Sequence, residues 1–192
     1  GAIAKAEELN KEIEGSVILG QFVNPSNPKA HILTTGPEIW EDTDGKVDYF
    51  VAMGGTAGTI VGTGRYLREK NPGVKIVGVQ AAPSSRPDSP DFTGHIVDGT
   101  LPLHGVAEPL VPTLIKTNRD NGFQFDEVID IKAEDAYATA QETAKTDGLF
   151  LGTSAAAALT AAIQIAKRPE AAGKNIVVIY PDNGYKYLST EL

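Results

Sequence analysis

A chain of 192 residues has room for one sizeable domain, or for a domain with part of another, and 41% hydrophobic content supplies a core. A formal charge of −8, with no clustered Lys or Arg, argues against a nucleic-acid backbone as partner. The lack of cysteine removes disulfides and thiolate metal sites, the three histidines form no HExxH pattern, and no apolar run approaches the roughly 18 residues of a membrane span, so a soluble cytoplasmic protein is expected.

The first element predicted is a helix over Gly1–Glu14, with Ala2, Ala6, Leu9 and Ile13 on one face. No capping residue precedes it, and the expectation is that the chain begins inside a larger polypeptide. Val17–Leu19 reads as a short strand, and the Pro- and Asn-rich Asn24–Pro28 as a non-helical connection. Thr34-Thr35-Gly36-Pro37-Glu38 has the composition of a helix start.

Val47–Ala52 is a nearly continuous apolar run of the kind buried on both faces of a parallel sheet. A small-residue loop, Gly54–Thr59, follows, then a helix over Thr59–Lys70, a stop at Asn71-Pro72-Gly73 and a strand over Val74–Val79. That order is a β-loop-α-β unit with parallel strands and a right-handed crossover. Ala82–Pro90 and His95–Pro112 read as loops that wall a site or simply connect elements. Regular structure resumes with a strand (Asp126–Ile131), a helix (Ala133–Thr146) with Glu134 and Asp135 in its first turn, and a short strand (Leu149–Leu151). A helix over Ser154–Lys167 follows, with Leu159, Ala162, Ile163 and Ala166 as its buried stripe, and then a strand over Asn175–Tyr180. The fold expected is α/β, a mostly parallel twisted sheet with helices on both faces.

Ligands of open parallel sheets sit at the C-terminal ends of the strands. Three small-residue loops occupy such ends: Gly54–Thr59, Gly152–Ala158 and Pro181–Gly184. The first is a phosphate cradle in physical terms, since glycine lets the backbone approach an anion and the helix N–H groups face it. Competing readings fail on detail. A dinucleotide fingerprint needs its glycines between strand and helix, but Gly62 and Gly64 fall inside the helix and Leu67 replaces the third. No lysine follows Gly58 as a Walker loop requires. Gly152-Thr153-Ser154 imitates a nucleophile elbow, yet every histidine precedes Ser154; that serine reads as an N-cap or a ligand donor.

With these residues in view the chain resembles the cysteine synthase and cystathionine β-synthase family, the fold type II pyridoxal-phosphate enzymes. The resemblance runs through GAIAKAEELNKEI, Asn24-Pro25…Asn27-Pro28…His31…Thr35-Gly36…Glu38-Ile39-Trp40, Gly55-Thr56-Ala57-Gly58-Thr59, the GTSAAAA turn and Pro181-Asp182-Asn183-Gly184 with Tyr185–Thr190. It implies pyridoxal 5′-phosphate as cofactor, its phosphate on Gly55, Thr56, Ala57, Gly58 and Thr59. It also implies Asn183 as the side-chain donor beside the pyridine nitrogen, which leaves that nitrogen unprotonated and suits β-elimination. Family members carry glycine where this chain has Ala57, so the added methyl calls for a negative φ there. Gly99-Thr100-Leu101-Pro102-Leu103 replaces the family's Gly-Ile-Gly substrate loop, which makes Gly99 and Thr100 the candidate substrate residues.

The resemblance further implies that the Schiff-base lysine and the loop for the substrate carboxylate lie upstream of Gly1, so no catalytic residue is expected in this chain. Residues 1–34 would be the tail of a small domain and 35–192 most of the large one. The reaction implied is β-replacement, O-acetylserine plus sulfide giving cysteine, in a homodimer acting on small amino acids. A cystathionine-forming or desulfhydrating relative is the alternative. Two other classes remain as expectations to test: a lysine-free phosphate-binding module and, from the parallel sheet alone, a nicotinamide-dependent reductase.

Overall fold

The run Tyr49–Met53 becomes strand β1 at the interior of a sheet because both its faces are covered: Phe50 and Ala52 pack on one side, Val51 on the other, and all three are buried. The computed structural model describes residues 1–190. Strands β2 (Lys75–Ala81), β3 (Glu127–Ile131) and β4 (Ile176–Val178) join β1 in the order β3-β2-β1-β4, and every pairing is parallel.

Seven helices accompany the sheet among the described residues: α1 (Ala2–Glu12), α2 (Ser26–Leu33), α3 (Thr35–Asp42), α4 (Gly58–Lys70), α5 (Thr113–Asp120), α6 (Ala133–Thr146) and α7 (Thr153–Ala166). One sheet face packs Val51, Val77, Val79 and Ile131 against Ala133 and Ala136 of α6 and Ala155, Ala161 and Ile165 of α7. The other packs Phe50, Ala52 and Ile76 against Ile60, Val61 and Leu67 of α4 and Ile115 of α5. The expected architecture, a parallel sheet with helices on both faces, is therefore present, and β1-α4-β2 is its expected crossover unit.

Several local expectations are corrected. Asn24–Pro28 is not excluded from helix: α2 starts at Ser26 with Pro25 as N-cap and Pro28 inside its first turn. Prolines are tolerated there because first-turn N–H groups have no intrahelical acceptor. Asn24 helps, its Oδ1 accepting from the Ser26 N–H at 2.9 Å. Val17–Leu19 is no strand; Val17 and Leu19 are each 79% exposed, and no strand of the described residues lies beside them. Helix α1 likewise buries none of its residues. Leu149–Leu151 contributes only an isolated antiparallel bridge, Leu151 to Asn183.

The stripe on α7 is also misread by periodicity. Ile163 and Ala166 face outward, while Ala155–Ala158, Ala161, Ala162 and Ile165 are buried. Methyl side chains let this helix approach the sheet closely around most of its girth, so size contrast no longer marks the inner face.

Candidate functional site

Strand β1 delivers the chain into the turn Gly54–Ala57, and α4 begins at Gly58. Gly54 is held on both sides: its N–H donates to Val79 O at 3.0 Å, and its carbonyl accepts from the Leu101 N–H at 2.8 Å. Beyond it, the N–H groups of Gly55, Thr56, Ala57, Thr59 and Ile60 find no acceptor among the described residues, although Ala57 and Ile60 are buried. Buried amides without acceptors are rare in folded chains. Five amides without an acceptor, interrupted only by Gly58, whose N–H reaches Thr56 Oγ1 at 3.4 Å, form a nest for an anion at a helix N-terminus.

Ala57 shapes that nest in a way the sequence misjudges. Its φ is +67°, not negative, and it sits in the left-handed region as N-cap of α4. Its methyl is accommodated because the residue is 3% exposed and packs with Phe50, Ile60 and Leu103 in the core. The left-handed step costs about 1–2 kcal/mol, a strain of the sort that persists where the turn has a task.

Two residues of α2 brace the turn, and sequence reading assigned neither. Asn27 and His31 stand four apart, hence on one helix face. Asn27 Nδ2 donates to Thr56 Oγ1 at 3.0 Å and to Gln21 O at 2.8 Å. His31 Nε2 lies 3.2 Å from Thr59 Oγ1, and its Nδ1 2.9 Å from Thr35 Oγ1. Their i, i+4 spacing is the signal, hidden once the prolines are read as forbidding a helix. The hydroxyl of Thr59 is free to donate to an anion only when His31 Nε2 carries the proton and Nδ1 accepts from Thr35.

Burial lowers the His31 pKa from its usual 6.5, so the folded chain favours the neutral ring. A lowered value means that this contribution to stability is complete above the ordinary value and is lost as pH falls through the folded one. Replacing His31 by Phe is expected to weaken binding of a phosphorylated ligand about tenfold, the loss of roughly one hydrogen bond. The same variant flattens part of the acid limb of stability: between pH 7 and pH 5 wild type loses more than His31→Phe in denaturant titrations. Parallel pH profiles would remove His31 from this role.

The loop expected to face substrate lies against the turn. Gly99 O is 3.0 Å from where a Cβ on Gly55 would stand, so these two segments touch. Thr100 is less available than its position suggests, because its hydroxyl donates to Val97 O at 2.8 Å. Gln80 of β2, buried and unassigned from sequence, clamps the far side of the loop. Its Oε1 accepts from the N–H groups of Leu103 (2.6 Å) and His104 (3.1 Å), and its Nε2 donates to Asp130 at 2.7 Å. Asp98 fixes the near side, its N–H donating to Thr153 Oγ1 and its carboxylate accepting from Lys186 at 2.6 Å. That ammonium holds the Asp98 carboxyl below the usual carboxylate range.

Asn183 stands beyond the end of β4, the strand beside β1, so both loops lie at the same end of the sheet. Its Oδ1 accepts from the Tyr185 N–H at 3.1 Å, and its Nδ2 group makes no hydrogen bond among the described residues. Ser154 is not the N-cap of α7, which is Gly152, and its hydroxyl makes no hydrogen bond among the described residues. The cap comes from a distance: Asp182 Oδ1 accepts from the Ala155 N–H at 2.8 Å. No group of His, Asp or Glu among the described residues could hold a metal, and no helix is long and apolar enough to cross a membrane.

Fold and turn together define a parallel α/β protein with an anion nest at its first crossover. The family described as pyridoxal-phosphate dependent enzyme matches residues 1–182, and the chain belongs to it. Cysteine synthase A of Escherichia coli (strain K12) is 38% identical over 195 residues, covering 100% of this chain and 59% of that enzyme. The O-acetylserine dependent cystathionine beta-synthase of Bacillus subtilis (strain 168) is 38% identical over 192 residues, covering 100% of this chain and 58% of that protein. Among solved structures, O-acetyl serine sulfhydrylase isoform 3 from Entamoeba histolytica superposes with a TM-score of 0.79 at 40% identity, over 100% of this chain and 54% of its own. The chain thus spans somewhat more than half the length of these relatives.

Proposed function

We propose that this chain forms the phosphate-holding part of a cysteine synthase-like enzyme that joins O-acetylserine and sulfide into cysteine. The observation that carries the reading is the nest formed by the unpartnered N–H groups of Gly55, Thr56, Ala57, Thr59 and Ile60, since a phosphate ester supplies the acceptors these amides lack. The residues present suit pyridoxal 5′-phosphate: Gly55, Thr56, Ala57, Gly58 and Thr59 would hold its phosphate, and Asn183 Nδ2 would donate to its ring nitrogen. When bound, that cofactor supplies an electron sink for β-elimination and replacement.

The chain's own residues have defined tasks in this reading. Asn27 and His31 orient the Thr56 and Thr59 hydroxyls towards the anion, and the Ala57 step aims consecutive amides inward. Gly99 gives the substrate loop its close approach to the turn, while Gln80 and Asp98 keep that loop from moving. Residues 1–34 would end a smaller domain whose last helix, α2, reaches the site, and 35–192 would form the larger one. The Schiff-base lysine and the substrate-carboxylate loop belong to sequence outside this chain. The working unit is a cytoplasmic homodimer acting on small amino acids. The Bacillus subtilis relative favours a second reading, in which the thiol partner is an amino acid and the product a cystathionine.

A full-length polypeptide containing these residues is expected to take up pyridoxal phosphate with a visible absorption band, and to bind the dephosphorylated aldehyde far more weakly. With O-acetylserine and sulfide it should form cysteine and acetate in equal amounts. A protein that stays colourless in excess cofactor refutes the cofactor assignment; one that colours but yields no cysteine refutes the reaction.

A further inference from the structure

A cavity of about 400 Å³ opens between the turn 83–88 and the loop 96–102. Ala81, Val97, Leu101 and Pro102 give it apolar walls, and Arg86 is its cation. The Arg86 side chain is 15% exposed and makes no hydrogen bond among the described residues; the nearest carboxylate oxygen, on Asp88, stands 4.0 Å from Nε. Nε is shut off from water without a partner, and so is Ser84 Oγ in the same turn. The other carboxylate on the cavity, Asp98, is already engaged by Lys186.

A mostly buried guanidinium with no hydrogen-bonded acceptor is costly, and its planar fork matches a carboxylate in two-pronged fashion. A ligand carboxylate at hydrogen-bonding distance outcompetes the longer contact to Asp88. The cavity also shares a wall with the phosphate turn, because Gly99 lies on its rim and its carbonyl touches Gly55.

We propose that this cavity receives the short-chain carboxylate released in the reaction, with Arg86 as its anchor; the inference rests on the β-replacement reading. In that reaction the Cβ–O bond of O-acetylserine breaks with both electrons on oxygen, so the acetyl group leaves as acetate. Sulfide supplies the pair for the new Cβ–S bond, and its proton balances the carboxylate. The guanidinium takes the anion and the apolar walls take its methyl. The volume admits propionate and butyrate as well.

The test uses the full-length protein in two arms. In the first, carbon-13-labelled acetate is followed by NMR. Wild type broadens its carboxyl line, Arg86→Met does not, and Arg86→Lys, which keeps the charge without the fork, broadens it partially. In the second, acetate inhibits the reaction of O-acetylserine with sulfide, and its inhibition constant rises at least tenfold in Arg86→Met. Equal broadening in wild type and Arg86→Met, or inhibition indifferent to Arg86, overturns the proposal. Absence of cysteine formation by wild type overturns the underlying reading, and is distinguishable because the NMR arm needs no turnover.

Discussion

Replacing Gly62 by Ala is expected to destabilise the chain by about 3 kcal/mol and to loosen the phosphate turn with it. Gly62 sits where α4 crosses α2. A Cβ there would stand 2.2 Å from Pro28 O and 2.8 Å from His31 Cβ, and the first of these is backbone, which cannot rotate away. Relief requires roughly 1 Å of separation between the helices, in an interior packed too tightly to absorb it without loss. That movement would stretch the Asn27–Thr56 and His31–Thr59 contacts, now 3.0 and 3.2 Å, past useful length. Alanine's better helix propensity returns only about 1 kcal/mol. Gly64, one turn-half further along α4, is the control. A Cβ there meets Ile76 and Phe123 at 3.2 Å, side chains rather than backbone and needing only a few tenths of an ångström, so Gly64→Ala should cost clearly less than Gly62→Ala. Denaturant titration of both variants and cofactor titration of the full-length forms check the contrast; equal midpoints for the two would dismiss the crossing as a constraint.

That contrast marks what could be read from sequence. The β1-turn-α4-β2 unit was legible because its signals are local: a two-sided apolar run, a cluster of small residues, an amphipathic stretch and a Pro-Gly stop. The sheet's parallel order followed from the crossover rule. Helix α2 was not legible because two prolines outweigh a short pattern, although both occupy positions where no N–H is needed. The apolar Val17–Leu19 imitates a strand, but a strand exists only beside another. The sign of φ at Ala57 is set by the turn's closure between β1 and α4, and residue type alone argued the opposite. The bracing of the site was the least legible part. Asn27, Gln80, Asp98 and Asp182 act over separations of 23 to 55 residues, and no periodicity reports such pairings.

Asp182→Ala is the second change expected to have a large effect, about 3 kcal/mol, and it acts through the end of a helix. Helix α7 is buried along most of its length, so its first N–H groups cannot turn to water. The carboxylate of Asp182 meets that need from the loop after β4. Oδ1 accepts from Ala155 N at 2.8 Å, and Oδ2 accepts from the buried Tyr187 hydroxyl at 2.8 Å. A negative charge at that terminus also complements the helix dipole. Only glycine fits beside it, since a Cβ on Gly152 would lie 2.3 Å from Oδ2. Alanine at 182 strands two donors at once, and removing an acceptor from a buried donor costs more than the bond itself contributes. Asp182→Asn keeps one acceptor and presents an NH2 group to the other donor, so it should recover about half the loss. Because Asn183 follows directly and holds its amide through Tyr185, the alanine variant should also weaken cofactor uptake by the full-length protein. An Asp182→Ala protein that melts with wild type would mean that α7 is capped by other means, and would separate the Asn183 loop from the helix it adjoins.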